Sequence, residues 1–133
     1  MAKKLRRELK ANVRKTLQKQ AEKLWKEYCK KRDGYKCRLC SSTHILQVHH
    51  VFSRGKTRIF IDVDNGFTLC RDCHMSATHN DTTKDTIRRK IDPAKYDRIY
   101  EQSLITGAFL EWKSIEWLER QITILNEITE ELP

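Results

Sequence analysis

Four cysteines in two C-x2-C pairs constrain this chain more than any other feature. Cys37 and Cys40 form the first pair and Cys70 and Cys73 the second, with His49, His50 and Asn65 between them and His74 directly after. Thiolates at this spacing are the ligand set of a closed tetrahedral zinc site, which fastens segments too short to fold alone. Four sulfurs satisfy such an ion, so the histidines are surplus to it. An adjacent His pair facing a third His on the second knuckle predicts a separate, open metal position, an arrangement suited to chemistry more than to folding. Cys29 lies outside both pairs and reads as a small buried side chain.

A chain of 133 residues with 38% hydrophobic residues and two prolines fits one small globular unit with a small core, to which structural zinc is expected to contribute much of the folding free energy. No apolar run is long enough to span a membrane, and the basic start MAKKLRRELK is followed by no hydrophobic stretch, so no secretory signal is expected. Cysteines used as ligands imply a reducing compartment, the cytoplasm. The net charge of +9 is concentrated at the front, where residues 1–36 carry 14 Lys or Arg against four Asp or Glu. Such a segment beside a metal site suits a phosphate-backbone partner, since each neutralised phosphate releases counterions. A solvated helix face is the alternative for the charge run taken alone.

Apolar residues at three- and four-residue intervals, Leu5, Leu9, Val13, Leu17, Ala21, Leu24, Trp25 and Tyr28, predict a helix over residues 3–31 that stops at Gly34. Its stripe needs a partner, either the C-terminal helices or a second subunit. Strands are expected at Ile45–Phe52 and Ile59–Val63, joined by a basic loop whose Arg54, Lys56 and Arg58 are candidates for phosphate contact, with plain solvent exposure as the alternative. His44 sits in a loop and receives no role. Further helices are expected from Asp81 to Lys90, from Pro93 to a stop at Gly107, and from Ser114 to Glu131; residues 110–133 carry six acidic and two basic groups. The fold class is therefore mainly α with a small α+β insert. Three segments follow: a basic helix over 1–36, a metal-binding core over 37–80, and a helical stretch over 81–133.

The order His49-His50, then Asn65, then C-x-x-C-His74 resembles the HNH nuclease family, whose core is a two-stranded hairpin followed by a helix, the ββα-metal fold; the cysteine pairs match its zinc-stapled members. The stretches LWKEYCKKRDGYKC and VHHVFSRG extend the likeness toward small phage HNH proteins of the NinG recombination type. The residue before the general base is commonly Asp in that family and is His49 here, as in colicin-type nucleases. A second helix histidine often follows four residues after the first; position 78 is Thr, and the nearest is His79, which binds metal only if the helix ends before Thr78.

The resemblance implies a metal-dependent DNA endonuclease leaving 5′-phosphate and 3′-hydroxyl ends, acting on phage recombination or replication intermediates in a bacterial host cell. His50 is the candidate general base, since imidazole titrates near physiological pH. His49 and His74 are the candidate ligands of a catalytic divalent metal that polarises the phosphoryl group. Two neutral imidazoles favour Mn²⁺, Ni²⁺ or Zn²⁺ over Mg²⁺. Asn65 either orients His50 through the facing loop or supplies a direct oxygen ligand, and an Asn-Gly turn is its structural alternative. A non-catalytic zinc-dependent nucleic-acid-binding module is the rival reading of the whole chain. An RNA substrate and a homodimer both remain open.

Overall fold

The structure, a computed structural model, describes residues 1–53, 59–105 and 114–133. It is mainly helical with one two-stranded antiparallel sheet. Helix α1, Ala2–Arg32, carries Lys30, Lys31 and Arg32 in its last turn, where cations oppose the negative end of the helix dipole. Gly34, at φ +69°, and Tyr35 then reverse the chain, and the Tyr35 N–H donates to the Lys30 carbonyl at 2.8 Å.

The sheet pairs β1, Leu46–His50, with β2, Gly66–Cys70, in a register that sets Leu46 opposite Cys70 and His50 opposite Gly66. Alternation along a strand sends Val48 and His50 to one face and Gln47 and His49 to the other. Helix α1 covers the first face, where Val48 joins Ala21, Trp25 and Cys29, together with Phe60 and Ile61 from the connection. Helix α2, Arg71–His79, covers the second, where Phe67 and Leu69 meet Ala77 and, from α3, Ile87. The sheet is thus filled from both sides despite having only two strands.

Charged groups at the end of α1 hold it to the start of β2. Arg32 donates to the Val63 and Gly66 carbonyls at 2.6 and 2.7 Å, and the Asp33 carboxylate accepts from the Thr68 N–H at 3.2 Å. The remaining helices, α3 (Asp81–Arg89), α4 (Pro93–Ser103) and α5 (Ile115–Glu131), begin at the side-chain caps Asn80, Asp92 and Ser114. Leu118 and Leu125 of α5 bury against the second half of the α1 stripe, and the Lys31 ammonium donates to the Thr129 carbonyl at 3.0 Å. Leu5, Leu9 and Val13, in the first half of that stripe, are exposed.

Two expectations for the middle segment are corrected. β1 is shorter than Ile45–Phe52, because Ile45 takes a positive φ of 47° and the chain bends after His50. Ile59–Val63 is not a strand. Residues 59–61 form a turn and Val63–Asn65 a single 3-10 turn, and the second strand is Gly66–Cys70. The reason is tertiary: the Asp62 carbonyl takes the Trp25 indole N–H at 2.8 Å, and the Asp62 carboxylate caps Asp64 and accepts from Arg98 of α4. Ile59, Phe60 and Ile61 are buried, but from a turn. Gly107, the expected stop of the third helix, lies outside the described residues, as do Arg54, Lys56 and Arg58; α4 itself ends at Ser103.

Candidate metal site and histidine cleft

The hairpin register brings the two knuckles together. All four Sγ atoms of Cys37, Cys40, Cys70 and Cys73 lie within 4.8 Å of one another, with Cys40 and Cys70 at 3.6 Å and no disulfide among them. Tetrahedral zinc with bonds of about 2.3 Å sets its sulfurs roughly 3.8 Å apart, so the cluster has the size of that ion's shell. Burial would raise the Cys37 thiol, but the backbone N–H groups of Cys40, Cys70 and Leu39 outweigh it and bring the group down to about 7. Burial and the neighbouring thiols push Cys73 up instead, so within the cluster Cys37 is the thiol that gives up its proton most easily. Cys70 also caps α2, accepting from the Cys73 N–H at 3.5 Å, so the second knuckle and the helix start are one structure.

On the α2 face of the sheet, His49 from β1 meets His74 from α2 edge to face, with ring centroids 5.3 Å apart. Nδ1 of His74 bonds to the Gln47 side-chain oxygen. An amide oxygen only accepts, so the His74 proton sits on Nδ1 and the Nε2 lone pair is left for another partner. Burial lowers the affinity of His49 for a proton, and the charges of His74, His50 and Lys84 lower it further, to about 4; burial also lowers that of His74. Both rings are therefore neutral at pH 7, the form that binds metal.

His50 occupies the opposite face. Its ring stacks on Trp25 at 4.3 Å and 21°, and its Nε2 bonds the Phe60 carbonyl at 2.9 Å. A carbonyl accepts, which fixes the His50 proton on Nε2 and leaves Nδ1 as the basic nitrogen. As the last residue of β1, His50 nevertheless lines, with His49, a cleft of about 540 Å³ walled by Thr78 of α2, Lys84 and Arg88 of α3, and Tyr96 of α4.

Asn65 is fully enclosed. Its Oδ1 accepts from the Phe52 N–H at 2.8 Å, and its Nδ2 donates to the Phe52 and Ile59 carbonyls at 3.2 and 3.1 Å. It ties together the two ends of the loop that follows His50, and its amide faces backbone, not the cleft. His79 is exposed at the last position of α2, so the helix continues past Thr78 and a five-residue step turns His79 away from His74. The structure does not bring the two together. His44 lies apart as well, in the loop after the first knuckle, where its N–H meets the Ser42 hydroxyl.

Several residues of the site were not singled out in the sequence. Gln47 was legible in principle, because alternation places it on the same face as His49. The Trp25 ring and the Phe60 carbonyl reach His50 only through tertiary packing, and nothing local marks them. Compared with protein-family models, with curated proteins and with solved structures, the chain finds no match.

Proposed function

We propose that this chain is a metal-dependent endonuclease of the HNH, ββα-metal kind that hydrolyses DNA phosphodiester bonds. One observation carries the reading: the end of β1 and the first turn of α2 set His49 and His74 5.3 Å apart as neutral imidazoles, beside a cleft that His50 also lines. The four cysteines would hold zinc as a staple for this hairpin and helix. His49 and His74 would hold a divalent cation, which supplies charge neutralisation at the phosphoryl group.

The chain's own groups do the rest. Nδ1 of His50 takes a proton from the attacking water while the Phe60 carbonyl steadies the opposite edge of the ring. The water oxygen bonds to phosphorus, the bond from phosphorus to the 3′ oxygen breaks, that oxygen takes a proton from solvent and His50 returns its own to solvent, giving 5′-phosphate and 3′-hydroxyl ends. Asn65 positions His50 by closing the loop between Phe52 and Ile59.

A second reading, a non-catalytic zinc-dependent nucleic-acid-binding module, is favoured by the stacking of His50 on Trp25, which a purely structural histidine would also adopt. Cleavage of supercoiled plasmid by zinc-loaded wild type and His50→Gln, with Mg²⁺, Mn²⁺ or Ni²⁺ added, decides between them. The nuclease reading expects metal-dependent cleavage that falls at least 100-fold in a folded His50→Gln protein, the range of a lost general base. Equal activity in the two proteins removes His50 as base. DNA binding with no cleavage under any metal favours the module, and an RNA substrate run in parallel reports the preferred nucleic acid.

A further inference from the structure

Resting on the nuclease reading above, we infer that Lys84 and Arg88 of α3 form a phosphate-gripping wall of the histidine cleft and anchor the duplex backbone next to His49. The two residues are four apart on a helix and so stand on one side of it, about 6 Å apart at Cβ. Both line the cleft together with His49 and His50, whereas Ile87 between them is buried and fastens α3 to α2 and the sheet.

The surrounding charges distinguish this pair from an ordinary solvated face. Arg89, next in sequence and outside the cleft lining, pairs with Asp85 at 2.8 Å, so the carboxylate of Asp85, which also lines the cleft, is turned to Arg89 and not to Lys84 or Arg88. Among the described residues no carboxylate pairs with Arg88. Its guanidinium instead lies over the Tyr96 ring at 4.9 Å, and Tyr96 in turn packs on Phe52, the residue whose backbone Asn65 holds. A cation held over an aromatic ring face is positioned by the ring and keeps N–H donors for phosphate oxygens. Among the described residues the one carboxylate that Lys84 pairs with is Asp81, at 4.0 Å and fully exposed, a contact that a phosphate would readily displace. An anion in this cleft would face the Lys84 and Arg88 side chains next to the His49 ring.

The test measures binding apart from cleavage. Zinc-loaded wild type, Lys84→Gln, Arg88→Gln, the double variant and Arg89→Gln are titrated with a fluorescein-labelled 20-base-pair duplex from 0.05 to 0.5 M KCl, with no other divalent metal, and checked for wild-type zinc content and far-UV spectrum. Each phosphate contact contributes about 0.9 to the slope of log K against log salt, so each single variant lowers the slope by about 0.9 and the double variant by about 1.8. Over the tenfold salt range titrated, the double variant therefore gains roughly 60-fold less affinity than wild type as the salt falls from 0.5 to 0.05 M. Arg89→Gln changes the slope by less than half as much as either single variant. A double variant with the wild-type slope overturns the inference. So does an Arg89→Gln effect equal to that of Arg88→Gln, which would reveal only the overall charge, and so does a wild type that binds no duplex. Plasmid cleavage by the same proteins keeps the two readings separate: slopes altered as expected in a protein that never cleaves leave the wall standing and remove the nuclease.

Discussion

Asn65 shows what one buried amide is worth in a small domain. Its three hydrogen bonds satisfy the N–H and carbonyl of the half-buried Phe52 and the carbonyl of the buried Ile59. Asn65→Ala strands those groups, and urea denaturation should show a loss of roughly 2–4 kcal/mol. Asn65→Asp should do no better, because a carboxylate cannot donate to the two carbonyls and would bury its charge. A loss of less than about 0.5 kcal/mol would mean that Phe52 and Ile59 stay together unaided. His49 supplies a prediction in pH. An unfolded histidine titrates near 6.5, and burial, followed by the neighbouring charges, brings His49 down to about 4 in the folded chain. Between these values the unfolded chain binds a proton that the folded chain refuses. Stability from this group is therefore complete above pH 6.5, falls as the pH drops toward 4, and is level below that. The urea midpoint of wild type should fall more than that of His49→Gln between pH 7 and pH 4.5. Parallel profiles would assign the acid sensitivity to other groups, the cysteine cluster first among them.

At the scale of elements, the packing of α1 on the hairpin depends on the absence of a side chain. A Cβ placed on Gly66 would meet Cys29 Sγ at 2.4 Å and Trp25 Cζ2 at 2.9 Å, and neither atom can retreat within that core. Gly66→Ala should cost about 2–3 kcal/mol, within the range of overpacked cores. Cys29→Ala removes the nearer clashing atom, so the double variant should lose less than the two single losses together; strict additivity in denaturation would show that the strain is relieved elsewhere. The same contact marks the limit of what the sequence discloses. Helices α3, α4 and α5 were legible because their signals are local: an apolar spacing, and a start such as Asp92-Pro93 or Ser114. The cysteine knuckles were legible because ligand spacing is short-range chemistry. Ile59–Val63 misled because an apolar run reports burial, not conformation, and here Trp25 and Arg98 hold Asp62 in a turn. The bases of the cleft were illegible for the opposite reason. Lys84 and Arg88 look like any solvated pair until α3 is set beside β1, and the partner of the His50 ring lies 25 positions earlier in the chain.

On the scale of the whole molecule, the two hydrophobic clusters meet at a sheet of only ten residues, and both depend on the segment that the knuckles fasten. One cluster contains Cys37, Cys70 and Cys73 along with Phe67, Leu69 and Ala77; the other takes Val48, Phe60 and Ile61 from the same hairpin and its connection to cover Trp25 and Leu118. Structural zinc binds with an apparent free energy of about 10–16 kcal/mol, comparable to the entire stability of a domain this size. With zinc in the cysteine cluster, as proposed above, its removal should therefore not free the hairpin alone. Without the staple, Val48, Phe60 and Ile61 leave the α1 face, and the α1–α5 pair is left with an open flank. A chelator titration followed by zinc release, tryptophan emission and far-UV circular dichroism should give one coincident transition with one zinc released per chain. Cys29, whose thiol burial pushes up to about 12, should become reactive to alkylation in that same transition and not before. Zinc leaving while the emission stays blue and Cys29 stays protected would show instead that α1 and α5 form a core of their own and that the hairpin is a metal-dependent appendage to it.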